Sequence, residues 1–165
     1  MTWVVPNIRR RVDYYTRAHT WAKATSQGNI KVGLSDYICI CKHLKEITYV
    51  WTESVGKKVR RMEPFGVVET WSFLLDICAP VSGRLKKING RIIDNPYIIS
   101  QDPHGAGWIA EIEPTNLEDE VKNLLNFKEY ERYCSKLCLV CSKKDCTLLI
   151  NLKTAQKSSS HIESY

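Results

Sequence analysis

A mainly β fold of the sandwich or barrel type is what this sequence predicts, and three observations predict it. Short runs rich in β-branched and aromatic residues recur along the chain, among them Ile30–Leu34, Ile47–Thr52 and Trp108–Ile112. Turn-forming residues separate these runs at close intervals, at Gln27–Gly28–Asn29, Gly56, Ser82–Gly83 and Asn89–Gly90. The length of 165 residues, 44% of them hydrophobic, suits one domain with a substantial core.

Taken in order, Tyr15–Ala24 and Ile30–Leu34 read as a hairpin about the Gly28–Asn29 turn. Ser35 or Asp36 can cap a short helix over Tyr37–His43. Ile47–Thr52 is the next strand, and Lys57–Arg61 a short polar one that ends before Pro64. The stretch from Phe65 to Cys78 reads as two strands meeting near Thr70–Phe73, closed by Ala79–Pro80–Val81–Ser82–Gly83. Arg84–Ile88 is a further strand with a turn at Asn89–Gly90, and Asp94–Asn95–Pro96 opens a short helix through Ser100. After the Gly105–Gly107 loop comes the strand Trp108–Ile112. A helix over Leu117–Leu125 follows, capped by Thr115 or Asn116, with Glu118, Asp119 and Glu120 in its first turn.

The net charge of +6 is carried by the two ends. Residues 1–33 hold six bases and one acid and residues 131–165 six bases and three acids, whereas the middle is near neutral. Basic ends read as solvated tails, not as the single basic surface a nucleic-acid binder needs. No apolar run approaches the roughly 20 residues of a membrane helix. Met1–Val5 is too short for a secretion signal, which leads to the expectation of a prokaryotic cytoplasm, with mitochondrial import through Arg9–Arg11 as the alternative. An odd count of seven cysteines without an export signal argues against a disulfide scaffold. No catalytic triad, phosphate-binding glycine loop or paired carboxylates stand out, and an enzyme is not expected.

Several segments carry a more specific signal in collinear order. Tyr15–Thr16–Arg17–Ala18–His19–Thr20–Trp21, Val32–Gly33–Leu34–Ser35–Asp36–Tyr37, Glu63–Pro64–Phe65–Gly66–Val67–Val68–Glu69 and Ala79–Pro80–Val81–Ser82–Gly83 form the first part of the set. Asn95–Pro96, Asp102–Pro103–His104–Gly105–Ala106–Gly107–Trp108, Leu124–Leu125 and Glu129–Tyr130 complete it. Over roughly residues 14–130 the chain resembles the H protein of the glycine cleavage system. The resemblance implies a barrel-sandwich hybrid fold of the lipoyl and biotinyl carrier type. It also implies a role as swinging-arm carrier among glycine decarboxylase, aminomethyltransferase and dihydrolipoamide dehydrogenase. His19 and His104 occupy family-matched positions, structural or near the arm pocket.

That carrier chemistry needs a lysine at the hairpin tip, whose amine forms the amide to lipoate and whose long stem supplies reach. The family pattern places it three residues after the glutamate matched here by Glu69, and that position is Ser72. The tip reads Glu69–Thr70–Trp71–Ser72–Phe73, flanked by Glu69 and Asp76, with no lysine between Arg61 and Lys86. A hydroxyl cannot form that amide, so no lipoate is expected on this hairpin. The tip has instead become apolar, which suggests a protein-docking site of Trp71, Phe73 and Leu74. By strand alternation Trp71, Phe73 and Leu75 would share one face, and Ser72 and Leu74 the other.

Beyond Tyr130 the resemblance ends and Cys134, Cys138, Cys141 and Cys146 follow within thirteen positions. Four thiolates have the ligand count for a zinc ion or an iron–sulfur cluster, and Lys136, Lys143 and Lys144 would favour the thiolate form. If Tyr130–Val140 is helical, Cys134, Cys138 and Cys141 fall on one face and can equally pack as small hydrophobes. Redox thiol chemistry is the third reading. The expected organisation is a basic segment 1–13, an H-protein-like domain 14–130, a cysteine-rich, partly helical extension 131–150 and a disordered polar tail 151–165.

The sequence therefore leads to a non-catalytic H-protein homologue, without the lipoyl lysine, acting as a binding or scaffold subunit toward protein partners such as glycine cleavage or lipoate-related enzymes. A functional lipoyl carrier and a metal- or cluster-binding redox protein are the alternatives.

Overall fold

The computed structural model describes residues 14–35, 37, 46–71 and 74–141, with the side chains of its last helix described as far as Leu137. Among the described residues nine strands form two antiparallel sheets. They are β1 (Tyr14–Tyr15), β2 (Thr20–Ala24), β3 (Ile30–Leu34), β4 (Ile47–Thr52), β5 (Lys58–Val59), β6 (Pro64–Thr70), β7 (Leu74–Cys78), β8 (Gly83–Ile88) and β9 (Ala110–Pro114). One sheet has the order β1-β2-β3-β9-β8-β5 and the other the order β4-β6-β7. Short helices α1 (Gly90–Asp94), α2 (Ile98–Gln101) and α3 (Leu117–Glu120), with a 3-10 turn at Val121–Asn123, sit in the connections, and α4 (Phe127–Cys141) closes the described chain. The mainly β fold with short helices and a C-terminal helix is as the sequence indicates.

The core lies between the two sheets. Val32, Leu34, Leu85 and Ile112 of the larger sheet and Phe65, Val68 and Ile77 of the smaller are fully buried and belong to one cluster. Alternation explains the choice: Val68 points inward, so its neighbours Val67 and Glu69 point out and are only half-buried. A second, smaller cluster forms where α4 covers β1 and β2, from Tyr15, Trp21, Tyr130 and Cys134. Trp21 faces this cluster, and its register partner Gly33 is bare because a Cβ there would come within 2.5 Å of the indole.

The sequence-predicted strands at Ile30–Leu34, Ile47–Thr52 and Arg84–Ile88 are present, the last extended to Gly83, and the two strands of the central hairpin meet at the predicted tip. Several details differ: the short polar strand is only Lys58–Val59, and the helix expected from Asp94 through Ser100 is α2, from Ile98, with Asp94 ending α1. Tyr15–Ala24 is not one strand: the chain turns between Tyr15 and Thr20, where His19 takes a positive φ of 65° and the Thr16 and Thr20 hydroxyls bond at 2.8 Å. The Asn89–Gly90 turn is instead the start of α1, because Asn89 caps it, accepting from the Arg91 N–H at 3.2 Å. Trp108 and Ile109 precede β9, Trp108 lying in the satellite cluster under α4, so that strand begins only at Ala110. The helix at Leu117 ends after one turn and tightens to a 3-10 turn, with no side-chain cap from Asn116. The helix anticipated over Tyr37–His43 lies outside the described residues except for Tyr37, as do the segments 1–13 and 151–165.

Candidate functional site

The hairpin of β6 and β7 pairs Val67 with Asp76, Val68 with Leu75 and Glu69 with Leu74, the last described pair before the tip. Trp71 is 79% exposed there and Leu74 52%, whereas Leu75 packs against the core. Of the three residues anticipated as a docking surface, Trp71 and Leu74 are thus at the surface, and Phe73 lies outside the described residues together with Ser72. Leu75 does not share a face with the exposed Trp71, because the chain leaves strand geometry after Thr70. Glu69 and Asp76 sit on the outer face of this hairpin, half-buried, and neither is in an ion pair among the described residues.

The next lysines along the chain, Lys86 and Lys87, are on β8 in the other sheet. They reach Glu113 at 3.3 Å and Glu111 at 3.9 Å, and do not take the place of a tip residue. A cleft of about 440 Å³ lined by Arg17, Arg61, Lys122 and Leu125, among others, lies by the loop that leads into β6, at the opposite end of that strand from the tip.

Under α4, a polar contact set was not foreseen from the sequence. The Tyr130 hydroxyl meets His19 Nδ1 at 2.7 Å and the Ser35 hydroxyl at 2.5 Å, and its ring stacks on Tyr15 at 4.2 Å. His19 stacks on Tyr37, and Tyr37 donates to the Cys134 carbonyl at 3.3 Å. His104 stacks on Trp21 with ring centroids 5.7 Å apart. Both family-matched histidines therefore serve packing between the larger sheet, α4 and the loop after α2. The only sequence signal for this cluster was the coincidence of Tyr15, His19, Ser35 and Tyr130 among the matched segments.

Burial pushes the Tyr130 hydroxyl well above the ordinary tyrosine range, opposed by the Ser35 hydrogen bond and assisted by Cys134. Burial raises Tyr133 as well, with Arg17 working against it. Because folding holds the proton on Tyr130, the unfolded chain releases it first as the pH passes about 10. Stability is then lost with rising pH at up to ~1.4 kcal/mol per pH unit from this one group, and nothing is lost from it below that range. Tyr130→Phe is expected to be less stable than wild type at neutral pH by about 1–3 kcal/mol, since Ser35 and His19 lose a buried partner. The gap should narrow as the pH is raised above 10. Urea unfolding at a series of alkaline pH values measures this, and a gap independent of pH would refute the assignment.

Cys134 is buried against Tyr130. Among the described residues no group of three or more His, Cys, Asp or Glu side chains could hold a metal ion. Cys146 and the side chains of Cys138 and Cys141 lie outside the described residues, so the anticipated four-cysteine site does too.

A family profile described as "Glycine cleavage H-protein" matches residues 13–137, most of the chain. The chain belongs to the glycine cleavage H-protein family. It is 40% identical over 124 residues to a "Probable glycine cleavage system H protein" of Pyrococcus abyssi, covering 75% of this chain and 90% of the relative. It is 39% identical over 118 residues to the "Glycine cleavage system H protein" of Acinetobacter baumannii, covering 71% and 91%. The crystal structure of a glycine cleavage system H protein from Mycobacterium marinum superposes with a TM-score of 0.63 at 32% identity, over 72% of this chain and 92% of that one. The barrel-sandwich hybrid fold of the family is therefore the fold of this chain. H proteins work with the other proteins of the glycine cleavage system as carrier subunits, and this chain, like them, is not itself an enzyme. No helix among the described residues is long and apolar enough to cross a membrane.

Proposed function

We propose that this H-protein homologue carries no lipoyl group and works as a binding or scaffold subunit that docks a protein partner, in the glycine cleavage system or in lipoate metabolism, through its hairpin tip. One observation carries the reading: the position three residues after Glu69 is Ser72, and no lysine occurs from Met62 to Leu85. Lipoate attaches to H proteins as an amide of a lysine amine, and a serine hydroxyl does not fit that bond. No lysine lies on β6 or β7 to replace it. An exposed indole at the tip supports the docking role, because a large apolar side chain in water is stabilised by a surface that covers it. The cysteines Cys134, Cys138, Cys141 and Cys146, the last three past the end of the family match, add a second feature, with metal binding, packing and redox chemistry as its readings.

Two measurements test the proposal. Intact mass of the chain co-expressed with a lipoate–protein ligase should show no lipoyl gain, and a gain would overturn the non-carrier reading. Separately, replacing Trp71 and Phe73 together with serine should abolish co-purification of the partner captured by the wild type. Unchanged capture would remove the tip as the docking site.

A further inference from the structure

The smaller sheet turns its outer face to solvent, and the register fixes what that face presents. One row across it is Trp51, Val67 and Asp76, from β4, β6 and β7. The adjacent row is Tyr49, Glu69 and Leu74. Val50, Val68 and Ile77 point the other way, into the core. Tyr49 is 49% exposed, Trp51 47% and Leu74 52%, large values for apolar side chains within strands. Trp71, also exposed, follows β6 directly after Thr70, one residue past the strand's end.

The charge of the face is one-sided. No residue of β4, β6 or β7 is a lysine or arginine, although the chain as a whole has a net charge of +6. The larger sheet, by contrast, bears Lys23, Lys31, Lys58, Arg84, Lys86 and Lys87. The two carboxylates of the patch lie diagonally, Glu69 on the central strand and Asp76 on the far one, and neither is ion-paired among the described residues. With strands spaced about 4.8 Å apart, Trp51 and Asp76 stand roughly 10 Å from each other, the two strand spacings across β6. A planar cation can lie over an indole or phenol face while a neighbouring carboxylate takes its N–H donors, and guanidinium combines both contacts better than ammonium does.

We infer that the outer face of β4, β6 and β7 is a docking surface for an extended, arginine-bearing segment of a protein partner, its guanidinium groups set between Tyr49 or Trp51 and the carboxylates of Glu69 and Asp76. The inference rests on the reading of the tip as a partner-binding site and supplies the chemistry of that partner. A nucleic acid or an anionic membrane would be repelled by the same two carboxylates.

The test is a titration of the ¹⁵N-labelled full chain with a capped peptide of alternating arginine and valine, followed by its amide and indole resonances. Shifts should concentrate at Tyr49, Trp51, Glu69, Leu74 and Asp76, and weaken as salt is raised. The same peptide with citrulline, which keeps the shape and removes the charge, should bind roughly tenfold more weakly or worse. Glu69→Gln with Asp76→Asn should lose as much, and Trp51→Ser should weaken binding; the thermal midpoints of these surface variants confirm that they fold.

Equal binding of the citrulline peptide, or shifts confined to the larger sheet, would overturn the inference. A third outcome would also overturn it: if only a chain lacking residues 2–13 binds the peptide, and that deletion alone moves the same resonances, the occupant is the chain's own Arg9–Arg11 segment. Failure here leaves the lipoyl mass and the Trp71/Phe73 co-purification unaffected, so the two proposals fail separately.

Discussion

Ser72→Lys is expected to acquire a lipoyl group in a host that expresses a lipoate–protein ligase, while the wild-type chain in the same host acquires none. The effect is all or none because it turns on the presence of an amine. The hairpin is otherwise suited to presenting one. Its strands stay in register as far as Glu69 and Leu74, and Trp71 just beyond is exposed. A lysine introduced at the third position after Glu69 would supply that amine on a long flexible stem. Intact mass reads the outcome. If Ser72→Lys remains unmodified but becomes modified once Trp71 and Phe73 are also changed to serine, the aromatic flanks obstruct the ligase and the register is right. If neither is modified, the position has been assigned wrongly and the reading of Ser72 falls with it.

The second large effect concerns stability. Trp21→Ala is expected to cost about 3–5 kcal/mol, the range for emptying a buried aromatic site. Trp21 is 1% exposed, its indole N–H donates to the Pro103 carbonyl at 3.0 Å, and its ring stacks on His104 while lying on the bare backbone of Gly33. Truncation would leave a cavity beneath α4 and remove the donor that ties the loop after α2 to the larger sheet. For a domain of this size the midpoint should fall by roughly 10 °C or more. Trp51→Ala, at an exposed position on the other sheet, should stay within about 0.5 kcal/mol of wild type. Urea unfolding followed by circular dichroism compares the two, and comparable losses would show that burial has been misjudged at one of them.

Much of this fold was legible because strand alternation and turn chemistry act locally. Ile47–Thr52 and the hairpin either side of Thr70–Phe73 announce themselves by residue type alone. Tyr15–Ala24 was misread because nothing in its composition signals a reversal. The break rests on Thr16 and Thr20 bonding to each other and on His19 accepting a positive φ while its ring packs on Tyr37 and Tyr130, a contact made only through distant parts of the chain. Asn89–Gly90 was ambiguous for a similar reason, as the same asparagine side chain can close a turn or cap a helix. At the site, the absence of lysine was plain, since absence needs no geometry. The outer face of the smaller sheet was not, because Tyr49, Trp51, Glu69 and Asp76 come from three strands and meet only through register. The contact of Tyr130 with Ser35 spans 95 positions and was equally out of reach of a local reading.

The placement of α4 has a topographic consequence. The helix is anchored by Tyr130 and Cys134 on the outside of the larger sheet, over Tyr15 and Trp21, whereas Trp51 and Asp76 look outward from the smaller one. The two layers of the sandwich stand between them. Whatever engages the exposed flank of that helix, at Glu131, Arg132, Ser135 and Lys136, thus approaches from the far side of the molecule, and both flanks can be occupied at once without competition. A partner docked on the smaller sheet as proposed and a second one held against α4 would stand about one small domain's thickness apart.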